Sequence, residues 1–244
     1  MEPEIQPITR AGAARQRIPR GEQTRQQILE VAVQIASAEG LEDLTIGRLA
    51  NELGLSKSGL FAHFGSKEEL QLAAIETARA IFIEAVIRPV SVAERGLARL
   101  QAILDAWISY GERGVFRGGC FFAAASAEFD GRPGPVRDRV AAVMKSWINV
   151  LEEEIRQAQS RSQLDAKIDP AQLAFELHAF GLEANWASQL LGDKQAFERA
   201  REAMRRRLQG VARAKGLEVL KANPRKKVST KTDRKKVWTK TKSQ

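Results

Sequence analysis

Between Thr24 and Leu70 the chain alternates helix-start residues with glycines so closely that only a series of short helical segments fits. Thr24 with Gln27 makes a capping-box pattern, Ile28, Ala32, Ile35 and Ala36 recur at helical spacing, and Gly40 ends the run. Leu41 to Leu44 lead to Thr45, a good N-cap for a short helix whose Ile46, Leu49, Ala50 and Leu53 face inward before Gly54. Ser56 caps a third segment, with Leu60, Phe61 and Phe64 as apolar anchors and Gly65 as its stop. Ser66 and Glu69 then open a long fourth helix that the spacing carries to about Ile87, just before Pro89.

The remainder reads as helix as well, because apolar residues recur at three and four and no stretch alternates with period two. Expected helices are Ser91 to Tyr110, Cys120 to Glu128, Pro135 to Arg161, Pro170 to Leu191 and Lys194 to Lys215. The expected architecture is all-α: a flexible arm over 1–22, a three-helix unit over 23–68, a larger helical domain over 69–216 and a disordered basic tail over 217–244. The formal net charge of +9 belongs to that tail, since Lys221 to Gln244 hold ten basic residues against Asp233 alone. Bulk charge therefore says nothing about what the folded part binds. Cys120 is the sole cysteine, which excludes an intrachain disulfide and four- or two-cysteine zinc sites and fits a reducing cytoplasm. The acidic start and the short apolar stretch at Cys120 to Ala127 argue against export or a membrane span, which needs roughly 20 apolar residues.

Two short helices form a DNA-reading unit only with a tight turn and close packing, and here Ala50 falls at the crossing, Gly54 in the turn and Leu60 as anchor. Ser56, Lys57, Ser58, Gly59 and His63 then project outward, with side chains that suit a major groove. Thr45, Ser56 and Ser66 place helix N-termini where phosphates bind, and Lys57 and Lys67 add charge. Thr24 to Glu68 carry four basic against six acidic residues, so only moderate salt dependence is expected.

The run from Leu53 to Leu70, LGLSKSGLFAHFGSKEEL, closely resembles the recognition segment of the TetR/AcrR family of repressors, and the similarity extends over about Thr24 to Ile75. The resemblance implies a homodimer whose paired N-terminal domains bind successive major grooves of a palindromic double-stranded operator, and whose C-terminal domain takes a small-molecule effector. That family often has tyrosine where this chain has Phe61, so a phosphate hydrogen bond is lost there. Cys120 to Arg137 looks like one subgroup of the family without identifying an effector.

For the dimer, Leu173, Leu177, Phe180, Ala184 and Leu191 and, on the next helix, Phe197, Ala200, Met204, Leu208 and Val211 are the expected contact stripes. Candidate effector-pocket residues are Trp107, Tyr110, Phe121, Phe122, Trp147 and Phe180, with Asn185 or His178 orienting the ligand. No cofactor, metal or enzymatic activity is expected: the two histidines lie far apart, no Gly-rich phosphate loop or nucleophile elbow occurs, and Cys120 reads as a buried, inert thiol. Two other functions compete, a helical small-molecule-binding protein whose N-terminal module mediates protein contacts and a sequence-indifferent DNA-coating protein driven by the tail.

Overall fold

A computed structural model describes residues 20–222; the expected N-terminal arm up to residue 19, and the basic tail from 223 onward, lie outside the described residues. The order is α1 (Arg20–Glu39), α2 (Ile46–Leu53), α3 (Lys57–Phe64), α4 (Lys67–Phe82), α5 (Leu97–Glu112), α6 (Phe121–Phe129), α7 (Pro135–Ser160), α8 (Pro170–Leu190), α9 (Ala196–Val211) and α10 (Ala214–Ala222). Among the described residues there is no strand, only an isolated antiparallel bridge between Leu164 and Ala212. None of these helices is long and apolar enough to cross a membrane.

Helix boundaries differ from the local reading where tertiary partners intervene. The first helix starts at Arg20, ahead of Thr24, with Glu22 in a first turn that favours negative charge. The fourth is α-helical only to Phe82; a π-helical turn over Ile83–Ile87 and a 3-10 turn over Arg88–Val90 follow, around Pro89, which has no amide hydrogen to donate. α5 begins at Leu97 instead of Ser91, because the Arg99 guanidinium gathers the carbonyls of Ser91 and Ala93 at 2.9 and 2.6 Å into a turn. Its first amides are then capped from α7 and the loop after it: Gly96 donates to Glu154 at 2.8 Å and Leu97 to Gln163 at 3.0 Å. The helix expected over Lys194 to Lys215 is two, broken at Ala212, where Arg213 donates to the Gln163 carbonyl at 3.0 Å. Residues 217–222, expected in the tail, belong to α10.

Buried side chains from both halves join in one apolar core. Leu49, Ala50, Leu60 and Leu70, each at most 1% exposed, hold α2, α3 and the start of α4 together. α4 runs on to pack against α7, α8 lies between α7 and α9, and α6 touches both α1 and α7. The stripes expected to meet a second copy close largely on this core: Leu173, Leu177 and Ala184 of α8 are buried, and so are Phe197, Ala200, Met204, Leu208 and Val211 of α9. Phe180 is half-buried, and only Leu191 of the expected set is exposed. What α8 leaves outward is a different apolar row, Phe175, Leu182, Trp186 and Leu190, 37 to 67% exposed.

Gly181 lets α8 approach the Trp107 ring, since a Cβ there would fall 2.1 Å from Cη2. Gly181→Ala is expected to lower stability by about 1–3 kcal/mol. Gly210→Ala, with nothing within 4 Å of the added carbon, should leave stability unchanged or raise it by about 0.5–1 kcal/mol. Urea midpoints compare the two, and equal shifts would show that this contact does not limit packing. A second test concerns His178, which burial holds below its ordinary value of 6.5, so the unfolded chain takes up its proton first as pH falls. Stability is then lost from pH 6.5 downward until the folded histidine titrates, whereas the carboxylates that arginine and lysine hold below 4.5, such as Glu76 and Glu42, cost stability only at lower pH. His178→Gln should flatten the stability curve between pH 6.5 and 4.5 and keep the steeper fall below it. An unchanged slope in that window would count against a buried neutral imidazole.

Candidate nucleic-acid interface and apolar cavity

The helices α2, α3 and α4 are each started by a hydroxyl that satisfies a free backbone amide. Thr45 accepts from Arg48 N–H at 3.0 Å, Ser56 from Gly59 N–H at 3.1 Å and Ser66 from Glu69 N–H at 3.1 Å. Gly54 takes the left-handed conformation at φ 64° and closes α2 through its amide to the Ala50 carbonyl. The chain thereby turns sharply enough for α3 to pack on α2 through Leu60 and Phe64, the only two buried positions of α3.

The opposite face of α3 is open. Ser56, Lys57, Ser58 and Gly59 are exposed along its start, and the Ser56 and Ser58 hydroxyls lie 3.3 Å apart. Phe61, read from sequence both as a core anchor and as part of the DNA surface, is 56% exposed and anchors nothing. His63 is half-buried, its ring 6.2 Å from that of Phe64. Ala62, which the sequence reading passed over, is exposed on the same side. The basic residues divide sharply. Arg48 bridges Glu39 at 2.6 Å and Glu52 at 3.0 Å, and Arg25 lies 5.1 Å over the Phe64 ring. Lys67, expected to add charge for phosphate, gives its ammonium to Glu42 at 2.6 Å, and that contact holds the carboxyl below its ordinary range against the opposing effect of burial. Lys57 forms no ion pair among the described residues.

In the C-terminal half an aromatic cluster surrounds a small cavity of about 40 Å³ between α4, α5, α7 and α8. Of the expected pocket residues, Trp107, Phe122 and Trp147 line it. Tyr110 and Phe121 are buried behind that wall and do not. Phe180 faces another groove, between α8 and α9. Asn185 is committed to structure, its Oδ1 accepting the Cys120 N–H at 2.9 Å. Lining residues that sequence did not single out include Arg79 and Phe82 at the end of α4, and Met144 and Leu182. Phe82 stands edge-on to Tyr110 and Trp147 at 5.4 and 5.1 Å, and His178 lies flat on Trp107 at 5.5 Å and 5°. Cys120 also reaches the cavity, and enclosure of its thiol pushes its pKa up, which keeps it protonated and unreactive. No cluster of three or more His, Cys, Asp or Glu side chains suited to a metal occurs among the described residues.

Polar contacts join the two regions. Glu128, at the end of α6, accepts the amides of Leu41 and Glu42 at 2.7 and 3.0 Å. Gln71 of α4 donates to the Leu41 carbonyl at 2.8 Å. Gln34 of α1 donates to Val115 and accepts from the Arg117 amide, at 3.1 and 3.0 Å.

Comparison with known proteins agrees with this geometry in both halves. Residues 28–74 match the family described as bacterial regulatory proteins, tetR family, and residues 96–204 match the tetracyclin repressor-like C-terminal domain. The HTH-type transcriptional regulator SrpR of Pseudomonas putida is 32% identical over 94 residues, 38% of this chain and 44% of that protein. The match thus spans less than half the length of that curated relative. A TetR transcriptional regulator from Chloroflexus aurantiacus superposes with a TM-score of 0.73 at 25% identity, covering 79% of this chain and 98% of that one. AibR, solved with isovaleryl coenzyme A and operator DNA, shares the fold with a TM-score of 0.60 at 24% identity, over 74% of this chain and 95% of its own. The chain belongs to the TetR family of bacterial regulatory proteins.

Proposed function

We propose that this protein is a cytoplasmic, homodimeric, sequence-specific DNA-binding transcriptional regulator, a repressor released from a palindromic operator by a small-molecule effector. The exposed face of α3, mounted on two buried anchors and started by a capped N-terminus, carries this reading. Lys57, Ser58, Phe61 and His63 would meet base edges and the adjoining backbone, with the small Gly59 allowing close approach. The amides at the Thr45 and Ser56 helix starts would hold phosphates. Lys67 would act by fixing Glu42 and the α1–α2 loop, since its ammonium is already engaged.

For the dimer, the outward row of Phe175, Leu182, Trp186 and Leu190 on α8 supplies the apolar surface that the buried stripes do not. The adjoining groove between α8 and α9, of about 320 Å³, has Phe180, Ala184, Ala187 and Ala200 along its floor and can receive a partner's side chains. Two copies would set their α3 helices one DNA turn apart, about 34–36 Å. α4 would transmit occupancy, because one end carries Arg79 and Phe82 at the cavity and the other starts at Ser66 beside the end of α3. Tilting it would move the paired recognition helices off the one-turn spacing and lower operator affinity.

On genomic fragments selected with the purified protein, the wild type is expected to protect a discrete palindrome from nuclease digestion. Lys57→Ala and His63→Ala should each weaken that protection by about tenfold or more while leaving helix content unchanged. Uniform protection along any fragment would favour a coating protein, and no protection a protein-contact module. The double variant Trp186→Asp, Leu190→Asp should sediment as a monomer and lose the palindromic footprint. If it stays dimeric, the association surface lies elsewhere.

A further inference from the structure

The lining of the cavity restricts what it can hold. Its walls are aromatic, Trp107, Trp147, Phe82 and Phe122, with the His178 ring lying flat against Trp107. A flat slot of this kind accepts a planar ring through stacked and edge contacts. The single ionised side chain in the lining is Arg79. Its Nε donates to Glu76 at 3.1 Å, and Arg139 of α7 donates to the other oxygen of the same carboxylate. Two guanidinium groups therefore share one acid, and neither has a second carboxylate within 4 Å among the described residues, which leaves the rim one positive charge in excess. Deeper in, the Tyr110 hydroxyl is buried without a hydrogen-bond partner, a state that costs about 1–3 kcal/mol unless something fills it. It lies near Cys120, which borders the cavity.

We infer that the cavity takes a small aromatic monocarboxylate, its ring among the two tryptophans and its carboxylate on Arg79 in place of Glu76. This rests on the effector-regulated reading given above. Aromatic walls also suit quaternary ammonium ions, but the one charged side chain in this lining is the cation Arg79, which repels them. Burial keeps His178 neutral, so it supplies a face and no competing charge. A cavity of about 40 Å³ is smaller than a ring. The occupant must displace Met144, which is unbranched and adaptable, and Leu182, which is 37% exposed. By taking Arg79 from Glu76 it leaves that carboxylate to Arg139 of α7 alone, so binding changes the tie between α4 and α7 at the contact where it is made.

Calorimetric titration of the full chain with benzoate, benzyl alcohol and phenyltrimethylammonium tests the assignment. Benzoate is expected to bind at least about tenfold tighter than the other two. Arg79→Gln, at a half-exposed site whose helix content circular dichroism can verify, should remove that preference, while Trp147→Leu should weaken benzoate through the wall instead. Equal affinity for benzyl alcohol, preference for the ammonium ion, benzoate binding indifferent to Arg79→Gln, or no binding of benzoate would each overturn it. The footprint of the unliganded protein is read separately and decides the regulator reading on its own, so failure of one is distinguishable from failure of the other.

Discussion

The carboxylate of Glu128 fixes the N-terminal unit to the rest of the molecule. Both its oxygens are used, one on the Leu41 amide and one on the Glu42 amide, and the approach depends on Gly40, whose φ of 104° and missing Cβ leave room 2.9 Å from Oε1. Glu42, oriented by that contact, holds Lys67 at the start of α4. Gln71 closes the same loop from its carbonyl side. Two backbone amides and one carbonyl of a six-residue connection are thus satisfied by α6 and α4, and the orientation of α2 and α3 follows from a loop that cannot drift independently of those helices.

That arrangement explains why an apolar cavity far along the chain can bear on the recognition surface. α6 has Cys120 and Phe122 beside the cavity at one end and Glu128 on the α1–α2 loop at the other. α4 spans a longer interval, about 24 Å at 1.5 Å per residue, from Ser66 to Phe82. Two rigid elements run from the same cavity to the same small unit, and the Arg139–Glu76–Arg79 group bears on one of them where it passes α7. Displacing either helix at the cavity must strain the clamp or move the unit, because packed cores shift between arrangements instead of deforming smoothly.

The legible part of the fold was the local part. Thr45, Ser56 and Ser66 cap helices, and Gly54 takes positive φ, because those choices are made within four residues of sequence. Phe61 was misread as an anchor since an eight-residue helix offers too few turns to define a face, and the structure buries Leu60 and Phe64 alone. The side of α8 that faces outward was hidden for another reason: the helix is apolar nearly all round, so periodicity could not choose between Leu173, Leu177 and Ala184 and the row beginning at Phe175. Cavity residues divide similarly. Aromatic content pointed to Trp107, Phe122 and Trp147, but the commitment of Asn185 to Cys120 and the arrival of Arg79 and Phe82 depend on which helices meet, a property of the tertiary fold. The Lys67–Glu42 pair, 25 residues apart, belongs to the same class.

Charge in the N-terminal unit is spent internally. Arg48 and Lys67 answer Glu39, Glu52 and Glu42, Arg25 rests on an aromatic ring, and Lys57 is left as the cation on the open face of α3. Sequence-independent attraction to duplex, which grows with each phosphate neutralised, is correspondingly weak for a single unit. Contacts from helix N-termini and hydroxyls are short-ranged and depend on register, so they reward a matching site far more than an arbitrary one. A surface of that kind gains useful affinity only when a second copy is held at fixed distance, where binding of the first raises the effective concentration of the next. In the proposed dimer the apolar row on α8 and the polar face on α3 are two halves of one requirement, because a unit this poor in free positive charge gains most from a second copy.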